Sequence, residues 1–138
     1  MNEKTKRASE FFAKGLYCSQ AVLGAFCEAY GMETEAAFRI SCGLNSGGRC
    51  AEMCGAVSGA ILIIGLKHGD SKERCNVETE AFIHSFREKH GEVVCRKLLG
   101  CDIFTPEGRE KMAKENVFGT TCVEMVRSAA QILEDSGY

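Results

Sequence analysis

The sequence contains a single proline, Pro106, and few runs in which β-branched and polar residues alternate. Proline interrupts helices, and alternation at a period of two is the signal of a half-buried strand. Apolar residues instead recur at helical spacing along almost the whole chain. The sequence therefore predicts an all-α fold.

The chain also lacks an excess of charge and any long apolar run. Its 17 basic and 19 acidic residues give a net charge of -2, so we expect no nucleic-acid partner. The first fifteen residues have no apolar segment of the signal-peptide type. The longest uncharged stretch, residues 53–66, is shorter than the roughly 20 residues that span a bilayer. We expect a cytoplasmic protein with no membrane association.

Helical periodicity, glycines and capping residues divide the chain into eight helices. With 45% hydrophobic residues, residues 1–138 can form one domain without disulfides, as a compact bundle of six to eight helices. Two pairs, Asp70 with Glu73 and Thr121 with Glu124, have capping-box spacing. Residues 42–50, CGLNSGGRC, are predicted to be a flexible loop. The predicted helices span about 3–14, 18–31, 34–42, 53–67, 71–89, 92–99 and 106–115, and the last begins near 121.

Cysteine is unusually frequent, with nine residues in 138. A secreted disulfide scaffold would have an export signal, an even number of cysteines and few apolar residues, and this sequence has none of these. In a reducing compartment, cysteines serve as buried apolar side chains, redox-active thiols or metal ligands. The nine are Cys18, Cys27, Cys42, Cys50, Cys54, Cys75, Cys95, Cys101 and Cys122.

Three cysteines fall in the first turn of a predicted helix, namely Cys18, Cys54 and Cys122. Unpaired N–H groups and the helix dipole favour a thiolate there, so the pKa of each thiol is expected to be lowered. Cys95 is predicted nearer the end of its helix, where this argument does not apply.

Two further cysteines, Cys50 and Cys101, are secondary candidates because of their spacing. Cys50 precedes Cys54 in a C-x-x-x-C pattern, and Cys101 follows Cys95 across a predicted break at Gly100. Neither spacing is that of a thioredoxin dithiol, a zinc ribbon or a ferredoxin. The sequence also has no C-x-x-C-H motif, so no covalent haem is expected.

Glycines shape the apolar helix that follows Cys54. Gly55 and Gly59 have the G-x-x-x-G spacing at which another helix backbone can approach closely, and we expect them to serve packing.

Four stretches carry a family resemblance: YCSQAVLGAF, EMCGAVSGAILIIGLKHG, CRKLLGCDIFTPEG and TCVEMVRSAAQIL. Together they resemble the C_GCAxxG_C_C family, which is named for its cysteines and labelled as redox-active without a defined reaction. The resemblance covers roughly residues 11–135. It implies that the signature cysteines are Cys18, Cys54, Cys95 and Cys122, with CGAVSG at 54–59 as the central motif.

The resemblance also suggests a cofactor. The family is similar to the cysteine-rich part of split-Soret cytochromes, which carry haem and an iron–sulfur cluster. The haem does not carry over because its motif is missing. The resemblance thus leaves the cofactor open, with an iron–sulfur cluster held by Cys18, Cys54, Cys95 and Cys122 as one candidate.

Three functions stay open at this point. In the first, favoured, hypothesis a thiolate at Cys54 reacts and a second cysteine resolves the product as a disulfide. The second is an iron–sulfur or metal-binding electron carrier with four thiolate ligands. The third is a non-redox helical binding module with core cysteines. The sequence leaves open whether the chain is an oxidoreductase, which redox partner it has and whether it forms homo-oligomers. It also leaves open the roles of Cys27, Cys42, Cys50 and Cys75.

Overall fold

A computed structural model describes residues 2–138, which form eight α-helices joined by short turns, so the predicted all-α bundle is confirmed. Within residues 2–138 every helix is too short or too polar to cross a membrane. The helices are α1 (Glu3–Ala13), α2 (Cys18–Phe26), α3 (Thr34–Ser41), α4 (Gly55–His68), α5 (Lys72–His90), α6 (Cys95–Leu99), α7 (Pro106–Lys114) and α8 (Val123–Asp135).

Helix α2 is the centre of the bundle, because every residue from Ser19 to Phe26 is buried. It packs against α1, α3, α4 and α8. Helix α2 continues into a 3₁₀ turn, Cys27–Tyr30. This turn ends at Gly31, which has a left-handed φ of 83°. The predicted helix over residues 18–31 is thus an α-helix whose last turn is a tighter 3₁₀ turn. The core combines side chains of α2, α4, α5 and α8, including Leu23, Phe26, Ile63, Phe86, Val126 and Leu133.

Helices α2 and α4 lie in close contact through the glycines of α4. A Cβ at Gly59 would lie 2.7 Å from the Ser19 carbonyl oxygen and 3.2 Å from Val22 Cβ. A Cβ at Gly55 would overlap Cys18 Sγ. The prediction that these glycines serve helix packing is confirmed. The contact brings the start of α4 beside the start of α2.

A short backbone pairing delays the start of two helices. Met53 and Val94 form an isolated antiparallel bridge. On either side of it the Cys54 N–H donates to the Val93 carbonyl at 2.8 Å, and the Cys95 N–H donates to the Glu52 carbonyl. Helix α4 therefore begins at residue 55 rather than 53, and α6 at residue 95 rather than 92. The predicted starts were wrong because this pairing joins segments far apart in sequence.

Both predicted capping boxes are wrong. The cap of α5 is Ser71, whose Oγ accepts a hydrogen bond from the Arg74 N–H at 3.2 Å, one residue beyond the predicted Asp70. Helix α8 follows directly from a π-helical turn, Phe118–Cys122, which continues the helical path. Thr121 therefore lies inside a helical turn and does not cap α8.

We predict that Gly59→Ala lowers the free energy of unfolding by about 1–3 kcal/mol, because the new methyl group meets backbone and a buried Cβ that cannot move easily. The matched control is Gly65→Ala in the same helix, where an added Cβ meets nothing within 4 Å. It should stabilise the protein by about 0.5–1 kcal/mol through the helix propensity of alanine. Urea unfolding followed by circular dichroism measures both, and equal effects would contradict the close contact.

Candidate functional site

The four signature cysteines line one pocket of about 460 Å³. Cys18 is the first residue of α2, Cys54 immediately precedes α4, Cys95 is the first residue of α6, and Cys122 immediately precedes α8. These residues come from four separate parts of the chain, and only the tertiary fold brings them together. The other walls are largely apolar and include Phe12, Leu16, Leu98, Leu99, Ile103, Phe118, Val123 and Met125.

All four cysteines therefore lie at or immediately before the start of a helix. For Cys18 this agrees with the sequence prediction, whereas Cys54 lies one residue before its helix rather than in the first turn. Cys122 ends the π-helical turn, and its N–H donates to the Val117 carbonyl at 3.1 Å, so the predicted unpaired N–H group is missing there. For Cys95 the prediction was wrong, because residues 92–94 lead into the bridge to residues 52–54 and the helix begins only at Cys95.

Polar side chains fix the turn that carries Cys18. Gln20 Oε1 accepts a hydrogen bond from the Tyr17 N–H at 2.8 Å, and Gln20 Nε2 donates to the Phe38 carbonyl at 2.9 Å. The buried Ser19 Oγ donates to the Ser41 carbonyl at 2.8 Å. The first turn of α2 is thereby tied to α3, which holds the Cys18 sulfur in a defined position.

The predicted loop beside the pocket is regular only in its first part, where Cys42–Leu44 forms a 3₁₀ turn. Gly48, Arg49 and Cys50 have non-helical backbone angles, so this part of the segment is irregular. Asn45 Nδ2 donates to the Cys42 carbonyl at 2.7 Å, and Arg49 Nη1 donates to Asn45 Oδ1 at 3.0 Å. These bonds fix the segment from within.

The same segment has an unusual backbone. Ser46, Arg49 and Ala51 have positive φ values of 52°, 64° and 57°. Left-handed conformations strain residues other than glycine and concentrate at functional sites. Gly47 is also left-handed, and a Cβ there would lie 2.8 Å from Cys95 Cβ. The strained backbone thus forms the pocket wall against Cys95.

Burial, rather than the helix dipole, dominates the electrostatics of Cys18 and Cys54. Burial raises the pKa of the Cys18 thiol, while weaker hydrogen bonds from the backbone of Ser19, Ser46, Cys18 itself and Ala56 act in the opposite direction. Burial likewise raises the pKa of Cys54, and negative charge on Cys18 raises it further. The predicted lowering of these pKa values is wrong, because loss of hydration outweighs the local N–H groups.

The other two pocket thiols behave in the same way. Burial, followed by negative charge on Cys18, raises the pKa of Cys95 to about 11 and that of Cys122 to about 12. Charge on Cys18 thus opposes ionisation of each of its three neighbours. At neutral pH the pocket holds neutral thiols, and one thiolate within it disfavours a second.

The secondary candidates lie at the edge of this site. Cys101 is half-buried, and its charge contributes to the raised pKa values of Cys95 and Cys122, which indicates that it lies near both. Cys50 is exposed, and its Sγ donates to the Gly47 carbonyl at 3.3 Å. Cys50 and Cys101 are both outside the set of residues that line the pocket.

The remaining three cysteines lie outside the residues that line the pocket. Cys27 is buried in the core and its thiol donates to the Gly24 carbonyl at 3.6 Å, as expected for a small apolar side chain. Cys75 packs against the edge of the core, and Cys42 is exposed.

Within residues 2–138, no group of three or more cysteine, histidine or acidic side chains is arranged to hold a metal ion. Sequence reasoning missed Ser46 and Gly47 as parts of the site. The signal available was the glycine-rich stretch, which indicated a turn but not its left-handed geometry.

We predict that iodoacetamide modifies the exposed Cys42 and Cys50 first and the four pocket cysteines slowly at pH 7, because the pKa of every pocket thiol is raised and Cys54 and Cys95 are also buried. Raising the pH increases the thiolate fraction at Cys95 only as the pH approaches about 11. Timed alkylation followed by peptide mass spectrometry measures each site. Rapid modification of Cys54 or Cys95 at pH 7, ahead of Cys42, would contradict the raised pKa values.

Comparison with known proteins identifies a family for the chain. A family model described as "Putative redox-active protein (C_GCAxxG_C_C)" matches residues 16–136, nearly the whole chain, and this range includes all four pocket cysteines. Searches of curated proteins and of solved structures found no match. The match over residues 16–136 shows that the chain belongs to the C_GCAxxG_C_C family.

Proposed function

We propose that the pocket is a thiol–disulfide redox centre in which Cys18 and Cys54 form the reacting pair. The observation that carries the proposal is the convergence of four cysteines, from four separate segments, on one apolar pocket. Cysteines that served only as core side chains would need no common cavity. Membership of a family labelled as redox-active supports the same general function.

The pairing of Cys18 with Cys54 rests on their shared surroundings. The Cys18 sulfur occupies the space beside Gly55, the residue that follows Cys54. Hydrogen bonds from the Ala56 backbone oppose the burial that raises the pKa of both thiols, so the two sulfurs face the same N–H at the start of α4. This shared position at the start of α4 is the reason for choosing Cys18 and Cys54 as the pair.

The chemistry suits an apolar pocket because both end states are neutral. Two thiols lose two electrons and two protons when they form a disulfide, and neither state carries charge. The thiolate exists only during reaction. Cys18 is the better attacking residue because it is half-buried and meets more backbone donors, whereas Cys54 is only 8% exposed. The proposal thus reverses the roles that the sequence suggested.

In the proposed exchange the Cys18 thiolate attacks an external disulfide and releases one thiolate, which is protonated. Cys54 then loses its proton and attacks the Cys18 sulfur of the mixed disulfide. The second external thiol leaves, and the chain retains a Cys18–Cys54 disulfide. The external compound gains two electrons and two protons, and the chain loses the same number.

We predict that oxidised glutathione converts Cys18 and Cys54 into an intramolecular disulfide, detected in non-reduced peptide digests by mass spectrometry. Cys54→Ser should instead trap glutathione on Cys18, because the resolving thiol is missing. Cys18→Ser should prevent both products. Cys42→Ser, which removes an exposed cysteine outside the pocket, is the control and should leave the disulfide unchanged. A disulfide that forms between other cysteines, while Cys18 and Cys54 remain thiols, would refute the assignment.

A second candidate is a polynuclear iron–sulfur cluster held by Cys18, Cys54, Cys95 and Cys122. The specific observation in its favour is that negative charge on one pocket cysteine raises the pKa of the others. Bound cations would offset this repulsion and stabilise all four thiolates. Backbone hydrogen bonds to sulfur, as at Cys18, also tune such clusters. Four thiols around an apolar cavity fit a cluster better than a single ion, and the cluster would supply one-electron transfer.

Anaerobic purification tests the second candidate. A cluster predicts a coloured protein with iron and sulfide in fixed ratio, which is lost when the four pocket cysteines are replaced by serine and kept in Cys42→Ser. A colourless, iron-free protein after reconstitution would contradict it. If the serine variant changes stability but neither disulfide formation nor iron content, the third hypothesis of core cysteines in a non-redox binding module is favoured.

A further inference from the structure

A second cavity of about 460 Å³ lies next to the thiol pocket, between α7 and the segment of residues 45–51. Arg49 and Arg109 contribute two positive charges to it, and Phe104 and Phe118 contribute aromatic surface. None of its lining residues, all of which belong to the described range 2–138, is acidic. Its volume is within the range of small-molecule sites.

The Arg49 side chain is held in place before any ligand binds. Its Nη1 donates to Asn45 Oδ1 at 3.0 Å, and its guanidinium lies 5.0 Å from the ring centre of Phe104. Asn45 is itself buried and fixed through the Cys42 carbonyl. The strained left-handed backbone at Arg49, with φ of 64°, directs this side chain. A guanidinium positioned in advance loses less conformational freedom when it binds an anion.

Neither arginine is neutralised by the protein. Over residues 2–138, no carboxylate forms an ion pair with Arg49 or Arg109, whereas four other arginines do pair with glutamates: Arg7, Arg74, Arg96 and Arg127. Guanidinium groups favour carboxylate, sulfonate and phosphate partners, and aromatic faces favour flat apolar groups. The cavity combines both preferences.

We propose that this cavity, which we name the arginine cavity, binds an organic anion with a flat apolar body. Ile103 and Phe118 line both the arginine cavity and the thiol pocket, so a bound anion is separated from the thiols by one layer of side chains. The arginine cavity is a ligand site beyond the proposed cysteine chemistry.

The test uses two dyes with the same aromatic body. 1-Anilinonaphthalene-8-sulfonate carries a negative charge, and N-phenyl-1-naphthylamine carries none. Fluorescence titration of the full chain should show that Arg49→Gln and Arg109→Gln each weaken binding of the sulfonate by about tenfold, the effect of one charge-assisted hydrogen bond. Binding of the uncharged dye should change little. The titration involves no redox step, so its outcome is independent of the thiol–disulfide proposal.

Arg74→Gln is the matched control, because it removes the same charge from an exposed position on α5. It should bind both dyes as the unmodified protein does. Unchanged sulfonate affinity in Arg49→Gln and Arg109→Gln would overturn the proposal, as would an equal loss in Arg74→Gln. An equal loss for the uncharged dye would also overturn it, since the effect would then lie in the apolar surface. Thermal unfolding by circular dichroism confirms that each variant is folded.

Discussion

The close contact between α2 and α4 is the constraint on which the site depends. Without a side chain at Gly55 and Gly59, the backbone of α4 reaches Ser19 and the Cys18 sulfur. The glycines cost helix propensity, about 1 kcal/mol each relative to alanine, and close packing offsets that cost. A wider separation of the two helices would also separate Cys18 from Cys54. The same residues therefore serve the core and the pocket.

Two physical effects compete at the cysteines, and their balance explains the chemistry. Helix starts present unpaired N–H groups that favour a thiolate, and Cys18 and Cys54 do meet such groups. Burial removes water from the same sulfurs and is the larger effect, so their pKa values rise. At these two cysteines the N–H groups of the helix start reduce the rise in pKa but do not reverse it. In an apolar pocket they moderate the cost of a transient thiolate instead.

The sequence predicted which segments are helical, but it predicted the starts and caps of those helices less well. Helical periodicity identified all eight helices, because each amphipathic or apolar segment carries its own signal. The starts of α4 and α6 were misplaced because the Met53–Val94 bridge joins distant segments and leaves no local pattern. The cap of α5 was assigned to Asp70 rather than Ser71, a difference of one residue between two good capping types.

For the candidate site, the family resemblance identified the four cysteines, and the structure shows that they line one pocket. No local spacing could have indicated that Cys18 and Cys122 share a cavity, since the segments between them form most of the bundle. Nor could the sequence have shown that Ser46, Arg49 and Ala51 adopt left-handed backbone conformations, because none of them is glycine. That strain has a structural consequence on both sides of the segment. It turns the Ser46 backbone toward Cys18 and holds the Arg49 guanidinium over Phe104, so one short stretch shapes the thiol pocket and the arginine cavity together.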